Sequence, residues 1–392
     1  MRQEATAMKV SEAMKEVKAF DWEGDYRPAM RAFLKELIER RLVNGRDEYL
    51  AELASREEAE EDRCNGYYPR RLLTEVGEIE LAVARTRKWS GRELLGRLKR
   101  RSPQVDRTIL NCFVLGASTR KVGAVLSPLL GERVSAATVS GIARQLDAAV
   151  AAYHRRPLSP RYRALIFDGV VVKRKTGAGS LKRTLLVALG LTREGKKEVI
   201  DFYQAKGESE AEWSVFLNDL YRRGLTEEKL ELIVVDGGKG LLAALGLVFG
   251  RVPVQRCWAH KARNVVDKVK KADQAAVKQD LKRISHAANR VEARKAFGRF
   301  ARRWGPRYPK AVACVAEDIE ELLAFFALPS SWHIRVRTTN AIERRFREVR
   351  RRIRPMEVFS DQTSIERILY AVFMYENQKE KVSSLFLLTQ KS

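Results

Sequence analysis

Cysteine and histidine are scarce, four of each in 392 residues. Cys64, Cys112, Cys257 and Cys314 lie far apart without paired spacing, which excludes a disulfide framework or a zinc module built on Cys pairs and points to a reducing compartment. Long apolar runs are also missing. The longest nearly uncharged stretch, Gly240 to Gly250, has about half the length needed to cross a bilayer. The first twenty residues alternate charge with apolar character and contain no continuous hydrophobic segment, so no secretory signal and no membrane span are expected. Acid is in short supply as well: 50 Asp and Glu stand against 75 Lys and Arg, a net charge of +25. Such an excess attracts a polyanion through counterion release, and nucleic acid is the first partner to consider.

The chain is long enough for two or three domains. Phe33, Leu34, Leu37 and Ile38, then Tyr49, Leu50 and Leu53, fall at helical spacing on either side of "NGRD", which predicts two helices joined by a turn. The acidic "SREEAEED" that follows reads as a solvated face. Residues 67 to 87 alternate polar with apolar around Gly77, as a β-hairpin does. Between 118 and 150 two apolar stripes flank "GERVS", with Ser135 placed to cap the second helix. That is a helix-turn-helix outline whose second helix would offer Thr138, Arg144 and Gln145 to a DNA groove. Two-helix hairpins also occur without DNA. The linker "RRPLSPRYR" precedes a change of texture: three strands, a helix and two strand-and-helix units, hence an α/β domain with hairpin-connected strands first and parallel strands after. The expected division is a DNA-binding region at 1–155, a first part of a catalytic core at 156–264, a helical insertion at 265–335 and last core helices at 336–392.

Two carboxylates interrupt strands that should be buried. Asp168 lies within "RALIFDGVVVKRK", where an unpaired charge costs several kcal/mol. Asp236 ends "LELIVVDGG", at the carboxyl end of a strand, where sites in open α/β sheets assemble. If the strands are neighbours, the two carboxylates raise each other's pKa unless a divalent cation lies between them. Glu343 borders the stripe Ile342, Phe346, Val349 and Ile353 of an amphipathic helix, amid nine arginines between Arg335 and Arg354. Two of them have a plainer reading, Asp236 as a turn residue or helix cap and Glu343 as the partner of Asn340 in a capping box or of Arg347 in an ion pair; Asp168 is harder to dismiss.

Taken in order, "NGYYPRRLLTEVGEIELAVARTR", "STRKVGAVLSPLLGERVSAATVSGIARQLD", "FDG", "GESEAEWSVFLNDLYRRGL", "VVDGGKGLLAAL", "VQRCWAHKARN" and "TTNAIERRFREVRRR" resemble the Mutator-type insertion-sequence transposases across nearly the whole chain. The resemblance implies a ribonuclease H-like fold with an all-helical insertion, and a triad at Asp168, Asp236 and Glu343. It also implies two Mg²⁺ ions on those carboxylates, with Mn²⁺ able to substitute. The activity implied is cleavage at the element's terminal inverted repeats and strand transfer into target DNA, by a dimer or larger assembly on the nucleoid, without nucleotide cofactor or membrane. Residues expected to grip DNA are Thr138, Arg144, Arg302, Arg303, Lys310, Arg337, Asn340, Arg347, Arg350 and Arg351. Cys257 and His260 of "CWAH" fall on a Cys-x-x-His of the family; with no second ligand pair visible, a role buttressing the site or contacting DNA is expected rather than zinc binding. "FDG" stands where the family often has "LDA", and Arg345-Phe346 where Leu-Asn is usual after the glutamate. The rival readings are a non-catalytic DNA-binding regulator derived from a transposase and a structure-specific nuclease of the same fold.

Overall fold

The computed structural model describes residues 24–56, 61–96, 100–130, 134–176, 179–354 and 362–378. The leader region read for a signal, the middle of "SREEAEED" and Gly131–Arg133 of the "GERVS" turn lie outside these residues. Contacts divide the chain into two compact units, one of residues 1–113 and 117–142, the other of 114–116 and 143–392. No helix among the described residues is long and apolar enough to cross a membrane.

The first unit is built on α1 (Arg27–Ala54), an antiparallel hairpin of β1 (Cys64–Thr74) and β2 (Gly77–Thr86), and the short helices α2 (Arg92–Leu95), α3 (Pro103–Val114), α4 (Thr119–Leu130) and α5 (Ala136–Ala143). The turn predicted at "NGRD" does not form: α1 runs through it unbroken. The reason is packing. Leu34, Ile38 and Leu42 of α1 close the apolar cluster of Leu72, Ile79, Leu81 and Val83 on the hairpin. Gly45 is buried under Leu94, where an added Cβ would meet Leu94 Cδ1 at 2.1 Å, so the glycine serves helix packing and not a bend. Ser135 does cap α5, accepting the Thr138 N–H at 3.1 Å.

The second unit opens with α6 (Leu146–Arg155) and continues into a five-stranded mixed sheet. Its strands are β3 (Tyr162–Thr176), β4 (Gly179–Thr192), β5 (Lys197–Ala205), β6 (Leu232–Val235) and β7 (Val254–Arg256), in spatial order β5-β4-β3-β6-β7. β3, β4 and β5 are antiparallel neighbours, while β6 and β7 run parallel to β3. The α/β class and the order of hairpin strands before parallel ones match the sequence reading.

The sheet has two covered faces, so strand residues are apolar on both sides. Leu165, Phe167, Leu186, Ala188, Ile200, Ile233 and Val235 meet Trp213, Phe216, Leu217 and Leu220 of α7 (Glu210–Arg222) and Leu241, Ala244 and Leu245 of α8 (Lys239–Val248). Beyond β7 the described residues form helices: α9 (Trp258–Val266), α10 (Gln274–Ser285), α11 (Arg290–Trp304), α12 (Pro309–Ala316), α13 (Ile319–Leu322) and α14 (Ser330–Val336). Finally α15 (Asn340–Ile353) returns to pack on β3, and α16 (Gln362–Gln378) packs on β5 and α6. Arg367 of α16 forks onto Asp147 of α6 at 2.5 and 2.9 Å, and Tyr153 of α6 donates to the Val199 carbonyl of β5 at 2.9 Å. α6 is therefore fastened to the sheet.

Candidate active site

Register brings the first two carboxylates together. Phe167 of β3 pairs in parallel with Val235 of β6, and Val235 pairs with Arg256 of β7. The residues that follow, Asp168, Asp236 and Cys257, therefore stand in a row across three strands spaced about 4.8 Å apart. Because side chains alternate along a strand, Asp168 leaves the face that Phe167 buries against α7 and turns to the face on which α15 packs. Just past Asp236 the backbone bends through Gly237 at φ +103°, a conformation open to glycine, and a Cβ there would lie 2.6 Å from Arg256 Cζ. Asp236 Oδ1 accepts the Gly238 N–H at 3.0 Å, so the turn role foreseen for it is real and leaves its second oxygen available.

The third carboxylate comes from α15. Ile342, Phe346, Val349 and Ile353 are all buried, as their spacing required, and this fixes the rotation of the helix. Glu343, Arg347 and Arg350 then share an adjacent face. Asp168, Asp236, Glu343, His260, Asn340, Arg263, Arg344, Arg347 and Arg350 line one polar cavity of about 620 Å³. Neither plain reading of Glu343 describes it: Asn340 is the first helical residue, Thr339 occupies the cap position, and the nearest charged partner is His260, with Nε2 3.6 Å from Glu343 Oε1.

Among the described residues Asp168 forms no ion pair, although it is only 6% exposed; its Oδ1 accepts the Gly169 N–H at 2.8 Å. Burial, and after it the charge of Asp236, raises its pKa to about 8, with Glu343 adding and the Gly169 N–H and His260 opposing. His260 is held in its charged form up to about 9, first by its hydrogen bond with Cys257 and further by the charges of Cys257, Asp168 and Asp236, against the effect of burial. Burial alone would raise the Cys257 thiol, but hydrogen bonds with His260 and Thr339 bring it below its ordinary value.

Oxygen donors of this kind suit a hard divalent cation, and the buried Asp168 carboxyl, held toward its protonated form by burial and Asp236, is a group whose charged form such a cation would stabilise. The carboxylates share the cavity without closing on one point: among the described residues no group of three or more His, Cys, Asp or Glu is arranged to ligate a metal directly. The donor chemistry fits; a shared coordination sphere requires the side chains to draw in.

The other residues expected to grip DNA divide. Asn340, Arg347 and Arg350 line the cavity, whereas Arg351 turns to Glu348 at 3.1 Å and Arg337 donates to the Ser285 carbonyl at 2.8 Å. Arg302, Arg303 and Lys310 lie away on the α11–α12 helices, Arg303 engaged by Asp280 at 3.0 Å. Thr138 is on α5, its hydroxyl 3.0 Å from that of Ser135, and Arg144 is exposed in the turn after α5 because that helix ends at Ala143.

Residues the sequence reading passed over include Arg263, Arg344 and Thr339, together with Glu208. The Glu208 carboxylate rests against Gly169, where an added Cβ would lie 2.5 Å from Oε1. Its pKa is raised, by burial first and by Asp236 second. Glu208 is thus a fourth acid beside Asp168 and Asp236. Only the "GES" preceding α7 hinted at it.

Along most of its length the chain is similar to transposases of insertion sequences. It is 34% identical over 338 residues to the transposase for insertion sequence element IS256 in transposon Tn4001 of Staphylococcus aureus, covering 85% of this chain and 86% of that one. It is 32% identical over 360 residues to the transposase for ISRM5 of Rhizobium meliloti, covering 90% and 88%, and 31% identical over 318 residues to that for IS905 of Lactococcus lactis, covering 81% and 80%. A family model described as "Transposase, Mutator family" matches residues 2–382, and the chain belongs to that family.

Proposed function

We propose that this transposase cuts and joins DNA with Asp168, Asp236 and Glu343 as a metal-binding acidic triad on a ribonuclease H-like core. The observation that carries the reading is the register of β3 and β6, which sets Asp168 beside Asp236 at the mouth of a cavity that Glu343 also lines. The strand order β5-β4-β3-β6-β7, antiparallel then parallel, supports that fold. Two Mg²⁺ ions, or Mn²⁺ in their place, would be held by the triad and would activate the attacking hydroxyl and stabilise the departing oxygen. The chain's own residues do the rest. Arg263, Arg344, Arg347 and Arg350 seat phosphates at the rim, and charged His260 stands beside Glu343. In cleavage, water attacks phosphorus and the 3′ oxygen leaves; in strand transfer, that 3′-hydroxyl attacks a target phosphodiester, forming one P–O bond as another breaks. The exchange needs no nucleotide. The α4–α5 pair, with Thr138 and the following Arg144, is proposed as the helix-turn-helix that reads terminal repeats, and a dimer or larger assembly as the state that brings two ends together.

The test is to incubate the protein with labelled element ends, a target plasmid and Mg²⁺ or EDTA. Nicked ends and joined product in Mg²⁺ alone are expected. Nicking without joining favours the nuclease reading; binding without nicking favours the regulator.

The arginine rim makes its own prediction. Alanine at Arg344, Arg347 and Arg350 together should weaken binding to all sequences alike and flatten the plot of log affinity against log salt by roughly 2–3, at about 0.9 per lost phosphate contact. An unchanged slope, measured by fluorescence anisotropy across a salt series, would remove these side chains from the DNA contact.

A further inference from the structure

We propose that Thr339 is a positioning residue that holds Glu343 in the orientation required for cation binding. The inference rests on the acidic-triad reading above and deepens it.

Thr339 is at the amino-terminal cap of α15, where a threonine hydroxyl ordinarily accepts an N–H from the first turn of the helix and contributes about 1 kcal/mol. Here it makes no such bond. The side chain is fully buried, and its hydroxyl turns to three groups of the site: Cys257 Sγ at 3.4 Å, His260 Nδ1 at 3.4 Å and Glu343 Oε1 at 3.5 Å. Its backbone N–H also donates to Cys257 Sγ, at 3.3 Å.

Cys257 is in turn fixed to the strand bearing Asp236, its N–H donating to the Val235 carbonyl at 2.8 Å. The neighbouring Trp258 N–H donates to the Arg337 carbonyl at 3.1 Å. Thr339 therefore joins the end of β6, through Cys257, to the helix that carries Glu343.

One hydroxyl has one proton and two lone pairs, so it cannot donate to all three groups at once. The assignment proposed here has Oγ1–H donating to Glu343 Oε1, with Cys257 Sγ served by the Thr339 N–H and the His260 Nδ1–H shared between Oγ1 and Cys257. His260 Nε2 lies 3.6 Å from the same oxygen, so two donors gather at Glu343 Oε1, which in this proposal keeps Oε2 for a cation. The contacts are long, as such contacts often are before substrate and cofactor draw a site together. The hydroxyl is thus turned to groups of the site and away from the helix N–H groups that a capping threonine ordinarily serves. Groups of this kind around metal-binding side chains are worth roughly 10–100-fold in metal affinity or activity.

The test compares Thr339→Val, which preserves shape and removes the hydroxyl, with Thr339→Ser, which retains the hydroxyl. Full-length proteins are titrated with Mn²⁺ by calorimetry, and end cleavage is followed against Mn²⁺ concentration. Thr339→Val should bind Mn²⁺ about tenfold or more weakly and need correspondingly more of it for cleavage, while Thr339→Ser stays within about threefold of the unsubstituted protein. DNA affinity and helix content should hold in both. If valine prevents folding, Thr339→Ala takes its place with the same expected loss. Unaltered Mn²⁺ affinity in a folded hydroxyl-less variant, or a serine variant as impaired as the valine one, overturns the proposal. Failure of the unsubstituted protein to bind Mn²⁺ or cut DNA overturns the triad reading and this inference with it, whereas failure confined to the Thr339 comparison overturns only the inference.

Discussion

Asp236→Asn should lower cleavage and joining at element ends by roughly 10³-fold or more, equivalent to about 4 kcal/mol of transition-state stabilisation. DNA binding should be almost untouched. Asparagine keeps the side-chain oxygen that accepts the Gly238 N–H, so the turn into α8 survives, and Gly237 retains its left-handed backbone. What disappears is the negative charge beside Asp168. The loss should therefore fall on turnover and on metal requirement, read as single-turnover rates with end-labelled substrate over a Mg²⁺ series. Cleavage by Asp236→Asn at the unsubstituted rate would leave Asp236 as a turn residue and nothing more.

The second large effect is on stability, with the opposite sign. Asp168 is raised to about 8, first by burial and then by Asp236, so in the native protein it keeps a proton that the unfolded chain has already released above about pH 4. The unfolded state thus binds fewer protons between about pH 4 and 8, and stability conferred by the neutral carboxyl declines as pH rises through that window. Asp168→Asn removes the titration. In EDTA the variant should melt higher than the unsubstituted protein at pH 8, by roughly 4–8 °C if the penalty is about 2 kcal/mol at 2–4 °C per kcal/mol, and the difference should shrink toward pH 5. Its activity should be lost. Calorimetric melts at several pH values decide the matter, and parallel curves for the two proteins would show that Asp168 carries no buried-charge penalty.

How much of this could be read from residues alone follows from which forces act locally. The Glu343 helix was legible because Ile342, Phe346, Val349 and Ile353 repeat at helical spacing and all are buried. Asp168 and Asp236 stood out because the strands around them are apolar on both faces, which makes any charge conspicuous. Their adjacency was not legible: it depends on pairing β3 with β6, segments separated by a hairpin and a helix. "NGRD" misled because its turn propensity is worth little against burial of α1 on the hairpin and the contact of Gly45 with Leu94. Thr339 and Glu208 were invisible for a different reason. A buried hydroxyl and a carboxylate on a loop have no periodicity, and their roles emerge only when Cys257, His260 and Gly169 are brought beside them. Among the arginines, composition could not distinguish those that line the cavity, Arg344, Arg347 and Arg350, from Arg351, which is engaged by Glu348.

The sharing of cations by three distant carboxylates is tested most directly by a crystal structure of the protein on element-end DNA with Mn²⁺, located by anomalous scattering. The triad reading predicts Mn²⁺ between Asp168 and Asp236, with Glu343 supplying an oxygen at roughly 2.0–2.3 Å to one of the ions. Mn²⁺ bound by the two aspartates beside a scissile phosphate, with the Glu343 carboxylate remote from every ion, would contradict it.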